Sequence, residues 1–149
     1  MKELNLPAYD VKIRGTREQP EILDFIRRRY VALTPEEWVR QHFVHWLVDY
    51  KGYPKGLLAN EVALMCGNKT VRCDSIVYDS ARRPVMIVEY KAPDVALSQR
   101  VFAQVSAYNI LLHVDYLVIS NGLQHYCLRM DYDHQSYTFL SDIPSYSTL

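Results

Sequence analysis

The sequence predicts an α/β (α+β) domain, in which helices cover both faces of a mixed central sheet in a three-layer α/β/α arrangement. Three observations predict it. A helix-start signal at Thr34 opens a long helical stretch. From residue 61 onwards, apolar residues alternate with a period of two, as in half-buried strands. A helical segment at 98–112 then joins two apolar strands at 84–91 and 115–120, and such a crossover helix makes the strands it joins parallel.

The first half of the chain is predicted to be mainly helical. After a short strand at 9–13 and an irregular stretch, Pro20 opens a predicted helix over 20–30 because apolar side chains share one helical face there. The next helix, over 34–50, begins with a capping box formed by Thr34 and Glu37, with proline at its first position.

The second half is predicted to be mainly strands. The turn at 67–68 joins the first two strands, and a helix interrupts the series before the last strands. The predicted strands span 61–66, 69–78, 84–91, 115–120 and 123–130, with an edge strand at 136–140. We expect one domain over 1–149, with its core at about 34–130 and irregular segments at 1–19 and 143–149.

Composition excludes several classes of protein. Hydrophobic residues make up 49% of the chain and charged residues 23%, as in ordinary globular domains. No apolar run approaches the ~20 residues of a membrane-spanning helix, and the first residues lack the pattern of a signal peptide. A net charge of zero argues against a protein that binds nucleic acid only through its phosphates. Cys66, Cys73 and Cys127 contain no CxxC pair, so we expect reduced thiols and a cytoplasmic protein without membrane contact.

Three carboxylates are expected to lie in one row across neighbouring strands. With a two-residue turn at 67–68, Glu61 lies opposite Asp74. If the second polar turn, over 79–83, pairs Tyr78 with Val85, then Glu89 lies opposite Asp74 on its other side. Directly opposite residues point to the same face of a sheet, so the three side chains are expected to lie close together.

This row of carboxylates predicts a metal site. Neighbouring carboxylates repel each other, and a hard divalent cation among them relieves the repulsion; oxygen ligands alone favour Mg²⁺ or Mn²⁺. Lys91, two residues after Glu89, shares its face and is placed to orient water or to offset phosphate charge. The alternative is that these carboxylates are solvated or paired with Arg72 or Arg82.

The order of these residues resembles a known family. Asp74, followed by Glu89-Tyr90-Lys91 after an apolar strand, resembles the PD-(D/E)XK nuclease signature. The ordered segments TPEEWVRQ, RCDSIVYD, VEYKAP, QVSAY and VISNG resemble the N-terminal nuclease domain of type I restriction enzyme R (HsdR) subunits over residues 34–128. The resemblance implies a restriction-endonuclease-like fold and Mg²⁺-dependent hydrolysis of DNA phosphodiester bonds. The alternative function is a non-catalytic DNA-binding or assembly module that keeps this fold.

The resemblance also implies roles for individual residues. Asp74 and Glu89 would bind the metal, and Lys91 would be the catalytic lysine. Glu37 would be the acidic residue of the first helix that completes the site, with its place in the capping box as the alternative role. Glu61 is a further candidate ligand for the metal, so the residue that completes the site is left open between Glu37 and Glu61.

Gln104 and Tyr108 match the Q-x-x-x-Y motif that lies beside the site in this branch of nucleases. Their spacing independently puts them on one helix face. The alternatives are a surface role for Gln104 and a core role for Tyr108. The basic run at 27–29 is interpreted as a solvated helix face, with a DNA-facing patch as the alternative.

Two features depart from the family pattern. Cys73 stands where the proline of the signature is expected, and the 149 residues contain no GxxxxGK[ST] loop and leave no room for a translocase. Cleavage of translocated DNA by a complete type I enzyme is therefore not implied. We expect DNA as the partner, together with other restriction-modification subunits or a separate motor protein, and we leave a homo-oligomer open.

Overall fold

The computed structural model describes the backbone of residues 1–149 and every side chain except those at 108, 110 and 111. The chain begins with a small antiparallel sheet, after which α1 (Pro35–Tyr50) leads into the main sheet. The strands of the small sheet lie in sequence order and are β1 (Ile13–Gly15), β2 (Pro20–Asp24) and β3 (Arg29–Ala32).

The main sheet has six strands, which also lie in sequence order. Helix α2 (Gln99–Leu112) connects the third strand to the fourth, and these two strands are parallel, as predicted, whereas all other neighbours are antiparallel. The strands are β4 (Leu58–Cys66), β5 (Lys69–Tyr78), β6 (Pro84–Tyr90), β7 (Tyr116–Ser120), β8 (His125–Asp131) and β9 (Ser136–Leu140).

The two helices cover opposite faces of this sheet. Alternate residues of β6 separate the two cores: Met86 and Val88 pack with Phe43 of α1, whereas Ile87 packs with Val105 of α2. The predicted three-layer α/β/α fold is confirmed. Neither helix of the described chain has the length and apolarity needed to cross a membrane.

The predicted helix over 20–30 is wrong, because this segment forms β2, a turn and β3. The Asp24 carboxylate caps the turn: its Oδ1 accepts from the backbone N–H of Ile26 at 2.8 Å and of Arg27 at 2.7 Å. Arg28 follows with a left-handed φ of 56°, which a continuing helix does not allow. Asp24 itself is fully buried and accepts from the Asn60 side chain of β4, so tertiary contacts override the helical pattern.

Smaller differences concern the ends of the elements. The first strand begins at Ile13 instead of residue 9, and β4 begins at Leu58 instead of residue 61. The C-terminal segment packs against the core: Ile143 is buried, and the Tyr146 hydroxyl donates to the Tyr78 carbonyl at 3.0 Å.

Candidate active site

The register of β4, β5 and β6 brings the predicted carboxylates to one place. β4 and β5 pair Asn60 with Ser75 and Cys66 with Lys69, and β5 and β6 pair Ser75 with Val88. Continued by one residue, both registers place Asp74 between Glu61 and Glu89. A β-bulge after Val77 pairs Tyr78 with Pro84 instead of the predicted Val85, and it leaves the register at Ser75 as predicted.

The strands separate where these carboxylates lie. After the Ser75–Val88 pair, Asp74 Oδ2 accepts a hydrogen bond from the backbone N–H of Tyr90 at 2.9 Å. This side-chain hydrogen bond takes the place of the next backbone hydrogen bond between β5 and β6. On β4, Glu61 has a left-handed φ of 54° between two regular pairs. The separation opens a pocket of ≈ 300 Å³, which we call the acidic pocket; it is lined by Thr34, Glu36, Arg40, Glu61, Asp74, Glu89, Tyr90 and Lys91.

Asp74 and Glu89 form a carboxylate pair inside this pocket. Burial raises the pKa of Asp74, and the Tyr90 N–H and Arg40 offset this only in part. Burial and then the charge of Asp74 raise the pKa of Glu89 to about 7. Lys91 Nζ lies 4.0 Å from Glu89 Oε1, and the Lys91 backbone N–H donates to the Ser120 carbonyl of β7 at 2.9 Å. The sheet therefore fixes an ammonium beside two carboxylates that resist ionisation together.

This pair suits a hard divalent cation that keeps most of its water. A cation relieves the repulsion between the two carboxylates and lets both ionise. Among the described side chains, no three from His, Cys, Asp and Glu are grouped closely enough to bind a metal. A cation bound by Asp74 and Glu89 would find no third ligand of these types among the described side chains, and water or substrate oxygens would complete its shell, as is usual for Mg²⁺.

Glu37 binds arginines beside the pocket instead of lining it. Its carboxylate accepts from Arg27 at 3.1 Å, from Arg40 at 2.7 and 3.0 Å, and from Gln41 at 3.1 Å. The Glu37 backbone N–H donates to Thr34 Oγ1 at 3.1 Å, so half of the predicted capping box forms, but the Glu37 carboxylate turns to the arginines. To bind a metal in the pocket, the Glu37 carboxylate would have to break its hydrogen bonds to these arginines and to Gln41.

Glu61 lines the pocket and is also held by arginines. Its Oε1 accepts from Arg40 at 2.7 Å and its Oε2 from Arg72 at 3.2 Å. Burial alone would raise the pKa of Glu61, but the two arginines hold it below its ordinary value. Glu61 is thus ionised and paired in the protein, and the sequence alternative of pairing with Arg72 is what the structure contains.

Arg40 is the residue that sequence reasoning missed. It binds Glu37 and Glu61 and donates to the Asp74 backbone carbonyl at 2.7 Å, so one guanidinium joins α1, β4 and β5 at the pocket. Its position three residues after Glu37 was the available signal, because i,i+3 residues meet on a helix surface. Arg27 of the basic run is likewise structural, since it binds Asp24 and Glu37.

Gln104 of the Q-x-x-x-Y pair lies outside the pocket. Gln104 is exposed on α2 and does not line the acidic pocket, because Val101 and Val105 turn toward the sheet and Gln104 lies about 100° around the helix from Val105. The Tyr108 side chain lies outside the described side chains.

Comparison with known proteins identifies the family. Residues 35–144 match the model of a family described as the type I restriction enzyme R protein N terminus (HSDR_N). The chain belongs to this HSDR_N family. No match is found among curated proteins.

Solved structures give this HSDR_N chain a known fold. A fragment from Vibrio vulnificus YJ016, assigned to the HsdR subunit of a type I restriction enzyme, aligns with a TM-score of 0.53 and 19% identity over 76% of this chain. The alignment covers 24% of that fragment, so this chain spans about a quarter of its length. The type IIG restriction endonuclease BpuSI aligns with a TM-score of 0.41 and 20% identity, over 66% of this chain and 11% of the other. The first likeness supports the fold, and the second is too low to add to it.

The buried arginine of this HSDR_N chain is expected to be important for stability. We predict that Arg40→Met lowers the free energy of unfolding by about 3–5 kcal/mol, because Glu37 would remain buried with Arg27 as its only cation. Denaturant unfolding measures the change. The matched variant Arg100→Met, on the exposed surface of α2, should change it by less than about 0.5 kcal/mol. Equal effects of the two variants would contradict the structural role of Arg40.

The raised pKa of Glu89 predicts a pH-dependent gain in stability when its charge is removed. The Glu89 carboxyl stays protonated up to about pH 7 in the folded protein, whereas its ordinary pKa is 4.5. The free energy of unfolding therefore falls as the pH rises from about 4.5 to about 7. Above that range, ionised Glu89 destabilises the fold. In EDTA at pH 8, Glu89→Gln should raise the free energy of unfolding by about 1–3 kcal/mol, and by less at pH 5. A gain of the same size at both pH values would show that the Glu89 charge is not its cause.

Proposed function

We propose that this chain is a metal-dependent DNA endonuclease domain that hydrolyses phosphodiester bonds with Mg²⁺ or Mn²⁺. The observation that carries the proposal is the Asp74–Glu89 carboxylate pair with raised pKa values, beside Lys91 in one pocket. Membership of the HSDR_N family supports it, because the family is described by a restriction enzyme subunit.

Each residue of the pocket has a separate task in this proposal. Asp74 and Glu89 hold the cation, and a bound Mg²⁺ would supply Lewis-acid polarisation of the scissile phosphate. Lys91 orients the attacking water and offsets the negative charge that develops on the phosphate oxygens. Arg40 positions Asp74 through its backbone carbonyl, which keeps the carboxylate aimed at the Tyr90 N–H and at Glu89.

Membership of the HSDR_N family also suggests which molecules this chain works with. We propose that the chain acts on DNA together with other restriction-modification subunits or a separate motor protein, which would bring the duplex to the pocket. Because the net charge of the chain is zero, its own attraction for DNA is weak and cutting by the isolated chain should be slow and sensitive to salt.

The alternative is a non-catalytic DNA-binding or assembly module. The zero net charge and the small pocket favour it. Supercoiled plasmid incubated with the purified protein in low salt distinguishes the two functions. The nuclease nicks it with Mn²⁺ or Mg²⁺ and stops in EDTA, whereas the module leaves it intact under both conditions.

A further inference from the structure

The β4–β5 hairpin extends beyond the acidic pocket, and one of its faces is exposed to solvent. Ala63 pairs with Arg72 and Met65 with Thr70 across the two strands, and all four residues are exposed. We call these four residues the hairpin face. Val71 and Cys73 point to the other side of β5 and are buried in the cluster that contains α2. One side of the hairpin therefore packs toward α2, and the other side is exposed to solvent.

The hairpin face continues the wall of the pocket. Side chains at every second position share a face of a strand, so Arg72 follows Asp74 along β5, and Ala63 follows Glu61 along β4. Between Asp74 and the first residue of β5, Lys69, the strand rises about 17 Å, at roughly 3.3 Å per residue. This distance matches about five base pairs of B-DNA at roughly 3.4 Å per pair.

The charge of the hairpin favours a polyanion. Residues 62–73 contain no Asp or Glu, and Arg72 is the charged residue of the hairpin face, in a chain whose net charge is zero. The Arg72 side chain is 76% exposed and its contact with Glu61 is 3.2 Å long. Exposed ion pairs of this kind are weak, whereas a phosphate offers a guanidinium two parallel charge-assisted hydrogen bonds. Arg72 is thus free to exchange Glu61 for a phosphate at the rim of the pocket.

We infer that the hairpin face binds the phosphate backbone of double-stranded DNA and guides the duplex to the acidic pocket. This inference rests on the proposed function, because continuity with a pocket for phosphodiesters selects DNA as the occupant. Arg72 contacts the phosphate nearest the pocket. Lys69 lies on the opposite side of β5, with Val71 and Cys73, and takes no part in this contact.

Salt-dependent binding tests the inference. Fluorescence anisotropy measures the affinity of the full chain for a labelled 20-base-pair duplex at several salt concentrations, with Ca²⁺ in place of Mg²⁺. Arg72→Gln should reduce the slope of log K against log salt by about 0.9, since it removes one phosphate contact. Lys69→Gln, on the opposite side of the same strand, should leave the slope unchanged. Arg129→Gln, an exposed arginine on β8, is the matched control and should leave the slope unchanged.

The outcomes separate this inference from the proposed function. A wild-type slope in Arg72→Gln, or an equal reduction in Lys69→Gln, together with Mn²⁺-dependent nicking by the wild type, would overturn the hairpin assignment alone. Wild-type protein that neither binds the duplex nor nicks plasmid would overturn both proposals. A change in sedimentation coefficient in the hairpin variants, without a change in DNA affinity, would show that the face joins two copies of the chain and would also overturn the inference.

Discussion

An Asp74→Asn variant is expected to lose both metal binding and DNA cutting. The substitution removes one of the two carboxylates of the pair, so Mn²⁺ affinity should fall by about tenfold or more. A loss of this size is typical when a supporting residue of a metal site is removed. Nicking of plasmid should fall by about 100-fold or more, because charge stabilisation at the phosphate is lost with the cation.

The fold should survive this change. An asparagine keeps a side-chain oxygen for the Tyr90 backbone N–H, and it removes a charge that burial disfavours. Calorimetric titration with Mn²⁺ measures the affinity. The control is Asp133→Asn, an exposed aspartate in the turn between β8 and β9, which should bind as the wild type does. If the Asp74 variant keeps wild-type affinity, the metal is bound elsewhere.

Lys91→Ala is expected to separate metal binding from chemistry. An ammonium cannot be a metal ligand, so Mn²⁺ affinity should stay at the wild-type level or rise slightly when the positive charge is removed. Nicking should fall by about 100-fold, the usual effect of removing one group that stabilises developing charge.

Two further variants sharpen this prediction. Lys2→Ala, at an exposed lysine remote in sequence from the site, should nick as the wild type does. Lys91→Arg keeps the charge but changes the reach and shape of the donor, so it should recover only part of the rate. Full activity in Lys91→Ala would show that Lys91 takes no part in the reaction, even if the metal site is correct.

The main sheet was predictable because its signals are local. The turn at 67–68 has a two-residue hairpin sequence, and the apolar run of β6 reads as a buried strand. These two features fix the register that brings Asp74 and Glu89 together. The parallel pair follows from the connection through α2, since a helix between two strands returns the chain to the same edge.

The segment over 20–30 was not predictable from its periodicity. Ile22 and Ile26 fit a helical face, but Asp24 is a turn-capping residue whose carboxylate also binds Asn60 in β4. A residue 36 positions later in the chain therefore decides the local conformation. Sequence patterns within a short window do not contain this information.

The arginines around the site show a second limit. Sequence spacing places Glu61 beside Asp74 and Glu89, and it cannot show that Arg40 and Arg72 already bind Glu61. In the same way, the capping box explains the Glu37 backbone N–H, while the Glu37 carboxylate binds Arg27 and Arg40. Both carboxylates were candidates to complete a metal site, and partners from other elements decide what each one does.

The rate of plasmid nicking at saturating Mn²⁺, compared between the wild type and Lys91→Ala in the same low-salt buffer, tests the central claim most directly. A nuclease centred on Asp74, Glu89 and Lys91 predicts slow nicking by the wild type, a rate about 100-fold lower in the variant, and equal Mn²⁺ affinity in the two proteins. An intact plasmid with the wild type, or equal nicking by both proteins, would contradict a catalytic role for this pocket.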